Sequence, residues 1–155
     1  MSGILGIFPT ASTPPEEPVA RRMLQAMESR GADRIEVWRS EAVLLAAARY
    51  EWELDPSFSG PVLIAGDEPL RLVADASLYY RSDLRRQLKA ARIEPADDTA
   101  SALIIAAYRA WGEKCAERLE GDFAFILHDA EAGRVVCARS FSGKRPLYYA
   151  EPSGS

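Results

Sequence analysis

The stretch that decides the fold is GDFAFILHDAEAGRVVCARS, residues 121–140. It predicts two strands, DFAFILHD and RVVCARS, joined by AEAG, a connection of hairpin length that contains a glycine. Because neither side of the first strand alternates with polar residues, we expect a strand that is covered on both faces. The apolar side chains are Phe123, Phe125 and Leu127 on one side and Ala124 and Ile126 on the other.

Before this hairpin, short apolar runs alternate with turn-like sequences. GILGIF (residues 3–8) predicts a first strand that ends by Phe8, and the proline-rich PTASTPPEEP (residues 9–18) predicts a surface loop. Four strands in succession follow, which favours antiparallel pairing; their sequences are RIEVW, AVLLAAARY, VLIAG and LRLVADA. After the hairpin, PLYYA (residues 146–150) predicts a last strand.

Three segments have the spacing of amphipathic helices. Together with a strand buried on both sides, they favour an α+β fold in which two packed sheets lie between helices. The expected buried stripes are Val19, Met23 and Met27 in the first helix, Leu84 and Leu88 after a cap at Ser82 in the second, and Leu103, Ala107 and Trp111 in the third.

Length and charge limit the possible functions. With 155 residues, 48% of them hydrophobic, the chain is predicted to form a single domain over residues 1–155. The net charge of -4 gives no basic surface for nucleic acid or an anionic membrane. No apolar run approaches the roughly 20 residues that span a bilayer, so we expect a cytoplasmic protein with neither kind of partner.

The cysteines and the single histidine predict no metal site. Cys115 and Cys137 lie far apart without further ligands nearby, so both are expected to be reduced core residues. His128 shares the face of Ala124 and Ile126 and is expected to be a hydrogen-bonded core residue. The tyrosine pairs at 79–80 and 148–149 are expected to fill the core and the sheets.

A resemblance to a known family extends over nearly the whole chain. ERLEGDFAFILHDAEAGRVVCARSFSGKRPLYY (residues 117–149) resembles the family pattern ERLNGMFAFAIWD, a hairpin and ARDRxGxKPLYY, which ends the glutaminase domain of asparagine synthetase-type proteins. SRGAD (29–33) is similar to RRGPD, DASLYYRSDLR (75–85) to NGEIYNYRELR, and DDTASALIIAAYRAWGEKCAERL (97–119) to SDTEVLLHAYEEWGEDCLERL with two extra residues. The opening MSGILGIF falls on MCGIAGI. The resemblance to these class II glutamine amidotransferases implies the four-layer αββα fold of N-terminal nucleophile hydrolases.

The resemblance also implies a role for particular positions. In the family a Cys exposed by removal of the initiator Met attacks the amide of glutamine, with its free α-amino group as base; Ser2 stands at that position. The oxyanion donors are an Asn side chain and a Gly N–H, and their positions hold Asp75 and Ala76. An ionised Asp75 accepts hydrogen bonds only, so half of the oxyanion hole is expected to be lost.

The positions that bind substrate in the family match its pattern better than the catalytic positions do. The resemblance implies that Arg49 and Asp98 would hold the carboxylate and ammonium groups of glutamine, whereas Ser77 replaces a Glu that contacts the ammonium group. Plainer readings remain open at this level. Ser2 is then an ordinary residue at a processed terminus, Arg49 a solvated strand residue and Asp75 a turn or strand-end residue. Asp98 is then the cap of the helix that starts near Thr99.

The resemblance therefore predicts a glutaminase-like domain of an asparagine synthetase-related amide ligase that has lost glutamine hydrolysis and has a structural role. No cofactor is expected in this chain, because ATP and magnesium would belong to the synthetase domain, the expected partner. Three alternatives stay open. Ser2 is the nucleophile of an active amidase, or it replaces a catalytic Cys by engineering, or the chain is a free-standing subunit that docks on a separate ligase. If Met1 is retained, Ser2 has no free α-amino group to act as base.

Overall fold

Seven strands and three α-helices make up the described part of the chain, which comprises residues 1–8 and 15–151 of the computed structural model. The strands are β1 (Gly3–Ile7), β2 (Arg34–Arg39), β3 (Leu44–Arg49), β4 (Ile64–Ala65), β5 (Leu70–Leu78), β6 (Gly121–Asp129) and β7 (Arg134–Arg139). The helices are α1 (Glu17–Ala26), α2 (Arg81–Ala90) and α3 (Ala100–Trp111).

The strands form two antiparallel sheets. The first has the order β1-β3-β2 and the second the order β4-β5-β6-β7. The hairpin predicted from residues 121–140 is the β6–β7 pair, and β6 lies between β5 and β7 with Phe125 opposite Ala74. Its buried run from Phe123 to His128 confirms that both faces of this strand are covered.

Three apolar clusters separate four layers. Leu24 of α1 packs on the outer face of the first sheet with Leu44 and Ala46. The two sheets pack through Leu45 and Val73, among others, and α2 and α3 cover the outer face of the second sheet. The order helix, sheet, sheet, helices confirms the predicted αββα fold.

Some strand predictions need correction. The four strands predicted between residues 34 and 78 exist, but β2 and β3 join β1, whereas β4 and β5 join β6 and β7. PLYYA is not a strand, because the described residues place no strand beside it; its Tyr148 and Tyr149 are 89% and 95% exposed. The loop predicted for residues 9–18 falls largely on 9–14, outside the described residues, and Glu17 already begins α1.

The helices exist where expected, with different details. In α1 the buried residues are Ala20 and Leu24 instead of the predicted Val19 and Met23, because this face meets the first sheet. Tyr80, in the left-handed region, precedes α2, so Ser82 is not its cap. The stripe of α2 is confirmed, since Leu84 and Leu88 are buried, whereas α3 is buried all round from Ala100 to Tyr108 and its predicted Trp111 is only partly buried. None of the helices in residues 1–8 and 15–151 is long and apolar enough to cross a membrane.

The predicted core placement was wrong for Cys137 and for both tyrosine pairs, and right for Cys115 and His128. Cys137 is exposed, because β7 is the edge strand of its sheet, and Tyr79 and Tyr80 are also exposed. Cys115 is buried as expected. His128 is buried too, but its Nδ1 has no hydrogen-bond partner among the described residues.

The buried imidazole predicts a dependence of stability on pH. His128 lies beside Trp38 and opposite Arg71, and burial lowers its pKa from the ordinary 6.5, although Glu68 and Asp129 oppose this. The unfolded chain therefore takes up this proton at a higher pH than the folded one. The contribution of neutral His128 to the free energy of unfolding is complete above about pH 6.5 and declines as the pH falls towards the lower folded pKa.

Urea unfolding at about pH 7.5 and about pH 5.5 measures this loss, and His128→Gln is the control because it removes the titration. We expect the wild type to lose more stability between the two pH values than the variant does. Equal losses in both proteins would contradict the assignment.

Candidate functional site

The candidate site lies between the two sheets, where side-chain alternation collects several polar groups. Every second residue of β3 and of β5 faces the opposite sheet. Arg49 therefore lies on the same inner face as Leu45 and Ala47, and Asp75 lies on the same inner face as Val73. Ser2 precedes β1 and is 2% exposed. The fold thus brings Ser2, Arg49 and Asp75 close together.

Ser2 is held by two charged side chains. Its hydroxyl donates to Oε1 of Glu53 at 3.1 Å, and Nε of Arg49 donates to Oγ of Ser2 at 3.3 Å. The hydroxyl is therefore fixed between a carboxylate and a guanidinium. Such an arrangement orients Ser2 but leaves its proton directed at Glu53.

Glu53 is the residue that sequence reasoning missed at this position. It belongs to the 3₁₀ turn Glu51–Leu54, is 2% exposed, and accepts the N–H of Tyr50 on Oε2 at 2.9 Å. Its Oε1 lies 2.9 Å from the terminal ammonium of Met1. A buried carboxylate thus binds the N-terminus and Ser2 together.

Arg49 is a buried residue with a full set of acceptors. Its Nη1 donates to the carbonyls of Gly60 at 2.8 Å and Val62 at 2.7 Å, and its Nη2 lies 3.5 Å from the carbonyl of Ala74. Burial lowers the pKa of Arg49, and the negative charges of Glu53 and Asp75 oppose this. With 1% of its surface exposed, Arg49 is not a solvated strand residue.

Asp75 lies within β5, 4% exposed, and is therefore neither a turn nor a strand-end residue. Its Oδ1 is 3.2 Å from Nη1 of Arg145, whose Nη2 donates to Oγ of Ser77 at 3.2 Å. Burial raises the pKa of the Asp75 carboxyl, while Arg145 and the N–H of Ser2 act in the opposite direction. The position where the family pattern has an amide donor thus holds an ion pair.

Arg145 reaches Asp75 because the segment after β7 is anchored. Asp122 accepts from Tyr79 at 2.7 Å, Ser142 at 2.9 Å and Lys144 at 3.4 Å, and these bonds lower the pKa of its carboxyl. A charge-assisted cluster of this kind fixes the loop that carries Arg145. The exposed aromatic side chains of the segment take no part in it.

The backbone at Ala76 retains a donor. The carbonyl of Ala74 faces Arg49, away from β6, and backbone groups alternate sides along a strand, so the N–H of Ala76 points the same way. Strand β4 pairs with Leu72 and Val73 only, which leaves this edge of β5 without a strand at Ala76. The N–H is therefore available to a bound group.

Asp98 does not join these residues. Its carboxylate pairs with Arg85 of α2, its carbonyl accepts from Arg81 at 2.6 Å, and its side chain is 73% exposed. Asp98 does not cap α3 either, because Oγ1 of Thr99 accepts the N–H of Ala102 at 3.2 Å. The predicted ammonium ligand is thus engaged at the surface.

The arrangement orients the Ser2 hydroxyl and holds the Asp75 carboxylate in an ion pair with Arg145. The family profile described as a glutamine amidotransferase domain matches residues 1–155. The chain belongs to this family. The amidotransferase assignment made from the motifs is confirmed, and the two antiparallel sheets with helices agree with it.

Relatives of this amidotransferase domain are longer proteins. Asparagine synthetase [glutamine-hydrolyzing] 1 of Bacillus subtilis is 29% identical over 152 residues, which cover 96% of this chain and 24% of the relative. Asparagine synthetase [glutamine-hydrolyzing] 3 of the same organism is 26% identical over 143 residues, covering 90% and 23%. A putative asparagine synthetase of Methanocaldococcus jannaschii is 34% identical over 85 residues, covering 55% and 15%. The chain spans about a quarter of the length of the first two relatives.

Arg145 and Glu53 were not predicted from the sequence, and only Arg145 could have been found from a feature of the sequence. A carboxylate buried on the inner face of a sheet needs a positively charged partner. A buried Asp75 therefore indicates that an Arg or Lys, such as Arg145, lies beside it. Nothing in the spacing of EWEL indicates that Glu53 turns inward. Its burial depends on the 3₁₀ turn that follows Tyr50.

Proposed function

We propose that this amidotransferase domain no longer hydrolyses glutamine and serves as a structural part of an asparagine synthetase-related amide ligase. The observation that carries the proposal is the buried ion pair of Asp75 with Arg145. Acyl transfer needs donors aimed at the developing oxyanion, and an ionised carboxylate supplies none. Ala76 would provide a single backbone donor beside an unfavourable charge.

The charges in the site also disfavour the catalytic base that the family uses. An N-terminal nucleophile uses an unprotonated α-amino group. In this site Glu53 binds the terminal ammonium of Met1, and Asp75 faces the N–H of Ser2. Removal of Met1 would leave the new α-amino group of Ser2 between two carboxylates, which favour its protonated form. This charge distribution supports loss of catalysis even in the processed protein.

The proposed partner is the ATP-dependent synthetase domain of such a ligase, either in the same polypeptide or on a separate chain. The relatives are named glutamine-hydrolysing asparagine synthetases and are about four times as long as the region they share with this chain. ATP and magnesium would then bind in the partner. This chain would supply the fold on which the partner assembles.

Ammonia release from glutamine tests the proposal. We expect the purified protein, with Met1 removal followed by intact mass, to release no ammonia above the rate of its Ser2→Ala variant. The glutamine-hydrolysing synthetase 1 of Bacillus subtilis serves as the positive control for the assay. Turnover that disappears in Ser2→Ala would contradict the proposed loss of function.

The hydrogen bond from Ser2 to Glu53 favours a second candidate, an amidase in which Glu53 accepts the proton of the Ser2 hydroxyl. A fluorophosphonate probe that labels activated serines distinguishes the two functions. Labelling of Ser2 that is lost in Glu53→Gln would support the amidase, whereas the structural proposal expects no labelling.

A further inference from the structure

Two buried polar atoms on neighbouring strands have no hydrogen-bond partner among residues 1–8 and 15–151. They are Nε of Arg71 on β5 and Nδ1 of His128 on β6. The two residues lie directly opposite each other in the β5–β6 pair. Arg71 is on the inner face of β5 with Val73, and His128 is on the inner face of β6 with Ile126. Both atoms therefore lie in one small region between the two sheets.

Trp38 of β2 borders this region from the first sheet. Its ring centroid lies 5.9 Å from that of His128 and 5.5 Å from Cζ of Arg71. His128 is 7% exposed, and neither of the unpartnered atoms reaches solvent. Because a buried donor without an acceptor is unfavourable, a bound group that accepts from Nε of Arg71 gains from satisfying it.

The charge on this inner face is positive. Arg71 forms no ion pair within the part of the chain that the structure describes, and its Nη1 donates to the carbonyl of Gly66. Asp129, the last residue of β6, faces α3 and accepts from the hydroxyl of Tyr108 at 2.8 Å, and Glu68 is exposed. A ligand here meets a guanidinium that no carboxylate neutralises, which favours an anion over a neutral molecule such as water.

We propose that a small inorganic anion of the size of chloride binds between Arg71 and His128. It accepts one hydrogen bond from Nε of Arg71 and one from Nδ1 of His128, which donates in the tautomer that carries its proton there. Anions with a larger body, such as gluconate, do not fit between the packed side chains. The site lies on β5 before Asp75, and it does not depend on whether glutamine is hydrolysed.

Replacement of gluconate by chloride at constant ionic strength and neutral pH tests the proposal. His128 is the only histidine in the chain, so its imidazole signals in a nuclear magnetic resonance spectrum need no assignment. We expect saturable shifts of these signals and of the Nε–H signal of Arg71. The nitrogen shifts of the imidazole should show that Nδ1 carries the proton, and bromide should produce the same effects as chloride.

Three variants locate the binding site. Arg71→Met and His128→Phe should each weaken chloride binding by about tenfold or more, because each removes a hydrogen bond to a charged group. The first is measured on the His128 signals and the second on the Nε–H signal of Arg71. Arg86→Met is the matched control, since Arg86 is exposed on α2 and pairs with Asp83 at 2.8 Å; its chloride affinity should equal that of the wild type.

Spectra that are identical in chloride and in gluconate would overturn the proposal, because a water molecule would then satisfy both atoms. So would chloride affinity that falls equally in Arg71→Met and Arg86→Met, because general attraction of anions to the surface would then explain the shifts. Since Arg71→Met and His128→Phe change different strands, the test does not rely on either variant alone.

Discussion

Replacing Arg49 by methionine will lower the free energy of unfolding by about 3 to 5 kcal/mol, because several buried acceptors lose hydrogen bonds from one charged donor group. Arg49 is 1% exposed and donates to the carbonyls of Gly60 and Val62 and to Ser2. Its removal leaves the two carbonyls without this donor in a place that water does not reach. Urea unfolding followed by tryptophan fluorescence measures the change.

Two control variants distinguish the loss of buried hydrogen bonds from the loss of a positive charge. Arg21→Met removes an exposed partner of Glu17 on α1 and should cost no more than about 1 kcal/mol. Arg49→Lys keeps the positive charge but cannot reproduce the fork of donors, so an intermediate loss is expected. If Arg49→Met costs no more than Arg21→Met, the carbonyls and carboxylate around Arg49 are not held as described.

The second large effect concerns repair of catalysis. Ser2→Cys alone should not restore glutaminase activity, although a thiolate forms more readily than an alkoxide. In the proposed site the Asp75 carboxylate takes the place of an oxyanion donor, and lack of one such donor typically costs about 100- to 1,000-fold in rate. Adding Asp75→Asn and Ser77→Glu should therefore raise ammonia release by at least about 100-fold over Ser2→Cys.

The substituted side chains should act together, because nucleophile and oxyanion donors stabilise one transition state. Ser77→Glu also gives Arg145, which loses Asp75 as an ionic partner, a new carboxylate at the position of its present hydrogen bond. Asp75→Leu in the same background is the matched control, because it removes the charge without adding a donor. Strong activity from Ser2→Cys alone, with Met1 removal confirmed by intact mass, would show that Asp75 does not occupy the oxyanion position.

Much of the architecture could be predicted because it depends on local periodicity. The unbroken apolar run in β6 indicates a strand covered on both faces, and the four-residue spacing in α2 identifies its buried face. The predictions failed where the outcome depends on a neighbouring strand. PLYYA has the composition of a strand, but a strand needs a partner, and the described residues place none beside Tyr148 and Tyr149. Cys137 has an inward-facing pattern on β7, but β7 is an edge strand.

The sequence by itself determined the layers, the family and the chemical identity of positions 2, 75 and 76, because periodicity and motifs are properties of the chain. Only the tertiary structure decided the state of those groups. Arg145 lies 70 positions after Asp75 and Glu53 lies 51 after Ser2, and folding brings each pair within about 3 Å. Because burial strengthens electrostatic interactions, these distant charges dominate the surroundings of Asp75 and the N-terminus.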